Sequence, residues 1–215
     1  MEDRALIPRL RGRFHQVAFL ASIPAGVSLV ALGRTTSARI GNLIYALSVS
    51  GLFAASAAFH RLTLRDPNRP WLQRLDHSMI YVLIAGTYTP FALRALDGAW
   101  EVAILSVVWG GGVLGVTLRM AFGGLDVLKQ VLYLGLGWTA VVALPAVNGR
   151  LTPAELILMF AGGAFYTVGA LLFGLKRPDP RPDVFGYHEV WHGFVIAAVL
   201  CHFAMILSLT LRPGG

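Results

Sequence analysis

The chain has 215 residues, of which 56% are hydrophobic and 13% charged, with a formal net charge of +7. A soluble domain carries about 25% charged residues, so this composition lacks the polar surface of a water-soluble fold. The positive charge sits mostly in short loops between apolar runs, where it sets orientation and meets anionic headgroups; no nucleic acid is expected as a partner.

A hydrocarbon core about 30 Å thick needs about 20 apolar residues as helix. Seven segments meet that length: 14–33, 40–60, 75–95, 99–118, 128–147, 154–174 and 190–211. The basic start, Met1–Arg13, runs into the first of them and reads as a span rather than a cleaved signal. Breakers and charges divide the rest: Gly33–Thr36, Arg61–Pro70, Asp97-Gly98, Gly123–Asp126, Asn148–Pro153 and Lys176–Asp183. The expectation is an all-α, seven-helix membrane bundle forming a single domain over residues 1–215.

Lysine and arginine fall unevenly on the two sides of such a bundle. Arg4, Arg9, Arg11, Arg13, Arg61, Arg65, Arg69, Arg74, Arg119, Lys129, Lys176, Arg177 and Arg181 lie on one side. Only Arg34, Arg39, Arg94, Arg150 and Arg212 lie on the other. The positive-inside rule places the first side, with the N-terminus, in the cytoplasm and the C-terminus outside. No acidic residue falls near the middle of a span, which argues against a charge-lined pump or channel.

That topology brings four separated residues to the cytoplasmic interface. The second span ends at His60, the third begins with Asp76 in its first turn, and the seventh begins with His188 and His192. Histidines four apart share a helix face and suit one ion, and His60 supplies a third nitrogen from another helix. Three histidines with a fourth position open make the catalytic zinc pattern; Asp76 is either the fourth ligand or the group that holds and deprotonates a water. Ser56, one turn before His60, is placed to hydrogen-bond the water or an oxyanion. The plainer reading makes each histidine an interfacial anchor, and Asp76 a helix N-terminal charge or a partner of Arg74.

Other polar residues read as structural. Glu189 points about 100° from His188 on a helix and reads as an interfacial charge, while His15 reads as an interfacial residue. His77 reads as a packing or hydrogen-bonding group. His202, about 15 Å of helix rise beyond His192, reads as a core or cavity-lining histidine. Cys201 lies alone in an apolar run and reads as packing. The run Ala54–Ala58 and the pair Gly111 and Gly115 favour close helix approach. Pro90 should kink the third span, with Thr87 and Tyr88 available to satisfy freed backbone groups or to line a cavity.

The segments Ser56-Ala-Ala-Phe-His60, Arg74-Leu-Asp76-His77-Ser78, Ala85-Gly-Thr-Tyr-Thr-Pro90 and Phe185-Gly-Tyr-His188-Glu-Val-Trp-His192 resemble those of the hemolysin III-like proteins. These are the bacterial branch of the progestin and adiponectin receptor family, and the resemblance covers essentially the whole chain. It implies seven membrane helices with a cytoplasmic N-terminus, in a bacterial inner membrane. It also implies zinc (Zn2+) held by His60, His188 and His192, with Asp76 and Ser56 beside it. Through the adiponectin receptors and the distantly similar alkaline ceramidases, it suggests zinc-dependent hydrolysis of an amide- or ester-linked membrane lipid, with Asp76 as base. A noncatalytic metal-stabilised protein that senses or adjusts lipid composition is the second expectation. A pore is the last, because its polar groups should run the depth of the bundle and here they gather at one end. Substrate identity and oligomeric state are not readable from the sequence.

Overall fold

The computed structural model describes residues 8–62, 69–124 and 126–212. Arg4 and Arg65, counted above, lie outside them. The described residues form nine helices: α1 (Arg13–Leu32), α2 (Thr36–Leu62), α3 (Arg69–Ala95), α4 (Gly98–Ala121), α5 (Asp126–Gly137), α6 (Thr139–Val142), α7 (Leu144–Val147), α8 (Pro153–Leu175) and α9 (Tyr187–Leu211). Five of them, α1, α2, α4, α8 and α9, are long and apolar enough to cross a membrane.

The bundle's surface inverts the pattern of a soluble protein. Val17, Leu20, Val27, Val113, Ile157 and Leu200 face outward, while Asn42, Ser48, Ser56, Thr87 and Thr89 are buried. In lipid the solvent is as apolar as leucine, so polar side chains gather inside, where they find partners. Asn42 Nδ2, for example, donates to Leu29 O at 2.9 Å and to Thr210 Oγ1 at 3.1 Å, tying α2 to α1 and α9.

Small residues set the closest approaches. Gly86 of α3 lies against the Ser48 side chain of α2, and a Cβ there would overlap it at 2.6 Å. Gly115 and Gly111 of α4 make a shallow groove that seats the rings and branches of Tyr81 and Leu136. The expected GxxxG face is therefore used within the chain. Pro90 stays inside a continuous α3. Thr87 and Thr89 donate to the carbonyls of Leu83 and Ala85, one turn back, at 2.7 and 2.8 Å.

Two spans differ from expectation. α3 begins six residues before the apolar segment, with Arg69, Gln73 and Arg74 in its first two turns, so a polar extension precedes the apolar part. The fifth segment, expected as one helix over 128–147, is broken into α5, α6 and α7. Pro145 cannot donate a backbone hydrogen bond to the preceding turn, and Gly135 and Gly137 weaken the helix before it. Tyr88 of α3 repairs the first break. Its hydroxyl donates to Gly137 O at 2.8 Å and accepts from Ala140 N at 2.7 Å.

Alternation of the helices sorts their ends. Arg94 of α3 donates to Leu209 O of α9 at 2.7 Å, and Arg150, after α7, pairs with Asp97, before α4. The end of α2 and the start of α9 meet at the opposite side of the bundle, where the histidines are.

Candidate metal centre

The last turn of α2 carries His60, and the first two turns of α9 carry His188 and His192. His60 Nε2 lies 3.1 Å from His188 Nε2. One ring nitrogen from each of the three histidines falls within 4.8 Å of the others. The rings meet edge to face: His60 with His188 at 83°, His188 with His192 at 78°, His60 with His192 at 58°. Imidazole lone pairs lie in the ring plane, so rings at steep mutual angles can aim their nitrogens at one point instead of stacking. A tetrahedral ion with bonds of 2.0–2.1 Å holds ligand nitrogens roughly 3.3 Å apart, close to the spacing of His60 and His188. The residues present fit a metal ion with nitrogen preference.

Asp76, about two turns into α3, places Oδ2 at 3.8 Å from His60 Nε2. The Ser56 hydroxyl is a hydrogen-bond partner of this carboxylate, and Ser56 itself is buried. The two residues read from the sequence as catalytic candidates are therefore brought beside the histidines. Ser56 faces the carboxylate, which fixes its orientation. His77, beside Asp76 in the chain, lines a cavity together with Asp76, His188 and His192. His202 stands deeper in the bundle, with Nε2 3.3 Å from Met159 O, and lines a separate apolar cavity.

Two sequence expectations are corrected at this end. His15 is not an interfacial group: it is 3% exposed and stacks on His192, with ring centroids 3.8 Å apart and planes at 16°. Glu189 is not a solvated charge either. Fully buried, it accepts from Arg11 Nε at 2.5 Å and from Gly186 N at 2.9 Å. The physical cause is the path of the N-terminal segment. Arg9 N and Leu10 N donate to Asp183 O and Val184 O at 3.0 and 3.1 Å, so residues 9 and 10 lie along the loop before α9. Gly12 then turns the chain with φ +76°, passing so near α2 that a Cβ would come within 2.6 Å of His60 Cβ. This strap carries Arg11 to Glu189 and His15 onto His192. The basic start of the chain was the only sequence signal for it, and it carries no information about a partner 178 positions away.

A cavity of about 670 Å³ opens at the histidine end. His15, Ser56, Asp76, His188 and His192 all line it, as do Arg74, Arg119 and Lys129. An apolar cavity of about 100 Å³ lies next to it, between α3, α5, α8 and α9. The two share Leu52, Ile80, Tyr133, Trp191 and Val195 as walls. The chamber bearing the histidines thus adjoins a more apolar one inside the bundle.

A sequence model described as haemolysin-III related matches residues 5–203. The chain is 31% identical over 202 residues to the hemolysin-3 homolog of Bacillus subtilis (strain 168), covering 92% of each chain. It is 30% identical over 209 residues to hemolysin-3 of Bacillus cereus, covering 94% of this chain and 90% of that protein. A more distant similarity, 25% over 201 residues, is to the ADIPOR-like receptor IZH2 of Saccharomyces cerevisiae, covering 80% of this chain and 61% of that protein.

Proposed function

The chain belongs to the haemolysin-III related family of multi-pass membrane proteins, and from that premise we propose that it is a zinc-dependent hydrolase of an amide- or ester-linked membrane lipid. In this reading α3 and the consecutive α5, α6 and α7 also cross the bilayer, giving seven crossings. The histidine end is cytoplasmic, in the inner membrane of a bacterium, and the C-terminus lies outside. The charge asymmetry supports that orientation, since 13 of the 18 lysines and arginines fall on the histidine side.

One observation carries the proposal: three histidine nitrogens within 4.8 Å, with a serine-held carboxylate 3.8 Å from one of them, in a chamber that adjoins an apolar cavity. Zinc bound there would supply Lewis acidity, polarising a carbonyl and acidifying a water. His60, His188 and His192 would hold the ion, leaving a coordination position open. Asp76 would take a proton from the attacking water at its carboxylate and return it to the leaving amine or alkoxide. Ser56, by donating to Asp76, keeps the carboxylate aimed at that position. The wall shared by the two cavities lets an acyl chain lie among apolar side chains while its carbonyl reaches the histidines.

The test is metal analysis of the purified protein together with lipid turnover followed by mass spectrometry. Wild type should hold about one zinc per chain. Asp76→Asn should keep that zinc and lower turnover by roughly a hundredfold or more, the usual scale for loss of a general base. A wild-type protein without bound metal, or an Asp76→Asn protein with undiminished turnover, would sink the hydrolase. Retained metal with no turnover in either protein would favour the noncatalytic lipid-sensing role instead.

A further inference from the structure

The cavity between α3, α5, α8 and α9 is walled mainly by apolar side chains, and several of its polar ones are answered by the protein itself. Thr87 Oγ1 donates to Leu83 O at 2.7 Å, and the Tyr88 hydroxyl is used twice, by Gly137 O and Ala140 N. Trp138 Nε1 donates to Thr167 Oγ1 at 3.0 Å, and Thr167 donates in turn to Gly163 O at 2.8 Å. Tyr166 and His202, in the same wall, differ. The Tyr166 hydroxyl and His202 Nδ1 are buried and have no hydrogen-bond partner among the described residues. Their rings are neighbours, with centroids 5.8 Å apart and planes at 46°.

An orphaned polar atom is expensive inside a bundle that faces lipid, and packing alone needs neither group. The His202 ring nevertheless has a fitted seat. Gly162 of α8 leaves the space for it, since a Cβ there would overlap the Nε2 edge, and Nε2 lies 3.3 Å from Met159 O. Donation to that carbonyl puts the ring proton on Nε2 and leaves Nδ1 as an acceptor. The Tyr166 hydroxyl beside it supplies a donor. An acceptor next to a donor matches a hydroxyl group, which gives one hydrogen bond and takes another. A ketone or ether only takes, and an ammonium only gives.

We propose that Tyr166 and His202 bind a hydroxyl group carried partway along an acyl chain, so that the lipid taken by the protein has a mid-chain hydroxylated acyl group. This rests on the reading that the two adjoining cavities receive a lipid, and it adds the chemistry of the chain. His202 follows His192 by ten residues of α9, about 15 Å of helix rise, which sets the hydroxyl far from a carbonyl held at the histidines. An unsubstituted chain leaves both polar atoms unmet, and sites with polar groups that need a partner discriminate against the analogue that lacks it.

Zinc-loaded protein in uncharged detergent micelles is titrated with octadecanoic acid, with its mid-chain hydroxylated form, and with the form hydroxylated beside the carboxyl group. The mid-chain form should bind about tenfold more tightly than either of the others, the scale of two net hydrogen bonds. In Tyr166→Phe that preference should fall to about threefold or less, with zinc content and the affinity for octadecanoic acid unchanged. The comparison of hydroxyl positions on wild type decides the matter if the variant does not fold. Equal binding of the plain and mid-chain acids overturns the hydroxyl site and leaves the lipid reading standing. Equal gains from the two hydroxyl positions, or a mid-chain preference that Tyr166→Phe does not alter, overturns the assignment to Tyr166 and His202. If none of the acids binds to the zinc-loaded protein, the lipid reading falls and takes the hydroxyl site with it.

Discussion

At the end of the bundle away from the histidines, Glu155 is fully buried and answered from several sides. Thr152 N and Oγ1 donate to it at 2.8 and 2.9 Å, Ser208 Oγ at 2.7 Å, and Arg212 pairs with it. At the histidine end Asp76 has Ser56 as a hydrogen-bond partner and His60 at 3.8 Å, and it faces an open chamber. Both carboxylates sit in early turns of helices, Glu155 in a capping box and Asp76 in the third turn of α3. The difference is in how completely each is satisfied. A saturated carboxylate clamps α8 and α9 together. One that keeps lone pairs toward a chamber is available to a ligand or a proton. Polar satisfaction thus separates the far end of the bundle from the candidate metal centre more clearly than charge or burial does.

The sharpest way to break this contrast is to remove a ligand. His188→Ala should lower zinc affinity by more than tenfold, read by metal analysis after dialysis against a weak chelator, while the helical signal of the protein persists. Retained stoichiometric zinc would show that the three histidines do not form the metal centre. The complementary change at the far end is Glu155→Ala. It leaves Arg212, Ser208 and the first turn of α8 without their shared acceptor and should cost about 2–4 kcal/mol of stability. Zinc content should stay at the wild-type value. Loss of zinc without loss of stability in that variant would erase the division between the ends.

A smaller effect is expected from the strap. Arg11→Ala strips the buried Glu189 of its cationic partner, leaving the backbone donor at Gly186. A loss of about 1–3 kcal/mol follows from an undersatisfied buried carboxylate. Because Glu189 holds the first turn of α9, which carries His188, zinc affinity should also fall, by about tenfold, the scale for groups that orient metal ligands. An Arg11→Lys variant should recover part of both. A fall in stability with no change in metal affinity would make the strap a clamp alone.

How far the sequence could anticipate this site depends on the range of the interaction. His188 and His192 are legible because an i,i+4 pair shares a helix face. His60, Asp76 and Ser56 follow from counting spans, since alternation carries their ends to one side. Tyr88 was marked as a cavity or backbone-satisfying group, and it serves the backbone of the broken fifth segment. That break itself was missed because hydropathy averages over Gly135, Gly137 and Pro145 and responds only to the apolar neighbours. Glu189 was correctly turned away from His188, yet its burial depends on Arg11, and no local pattern links residues so far apart. His15 was misplaced for the same reason. The left-handed turn at Gly12 decides where the N-terminal segment goes, and a glycine in a basic tail does not announce its φ.

His15 offers the finest discrimination between the contents of the chamber and its walls. Its ring stacks on His192 at 3.8 Å and tilts against Phe53 at 5.0 Å, yet it is not among the three histidines whose nitrogens converge. The geometry therefore assigns it to packing: a flat ring that holds the His192 imidazole in its plane. Phenylalanine preserves the flat ring and removes both nitrogens, while leucine removes the stack. His15→Phe should leave zinc affinity within about twofold of wild type. His15→Leu should lower it several-fold by freeing the His192 ring to rotate, on the scale of about 1 kcal/mol for one aromatic contact. Competition against a fluorescent zinc chelator resolves differences of that size. A tenfold fall in the phenylalanine variant would make His15 a metal ligand or a proton carrier and extend the chemical end into α1.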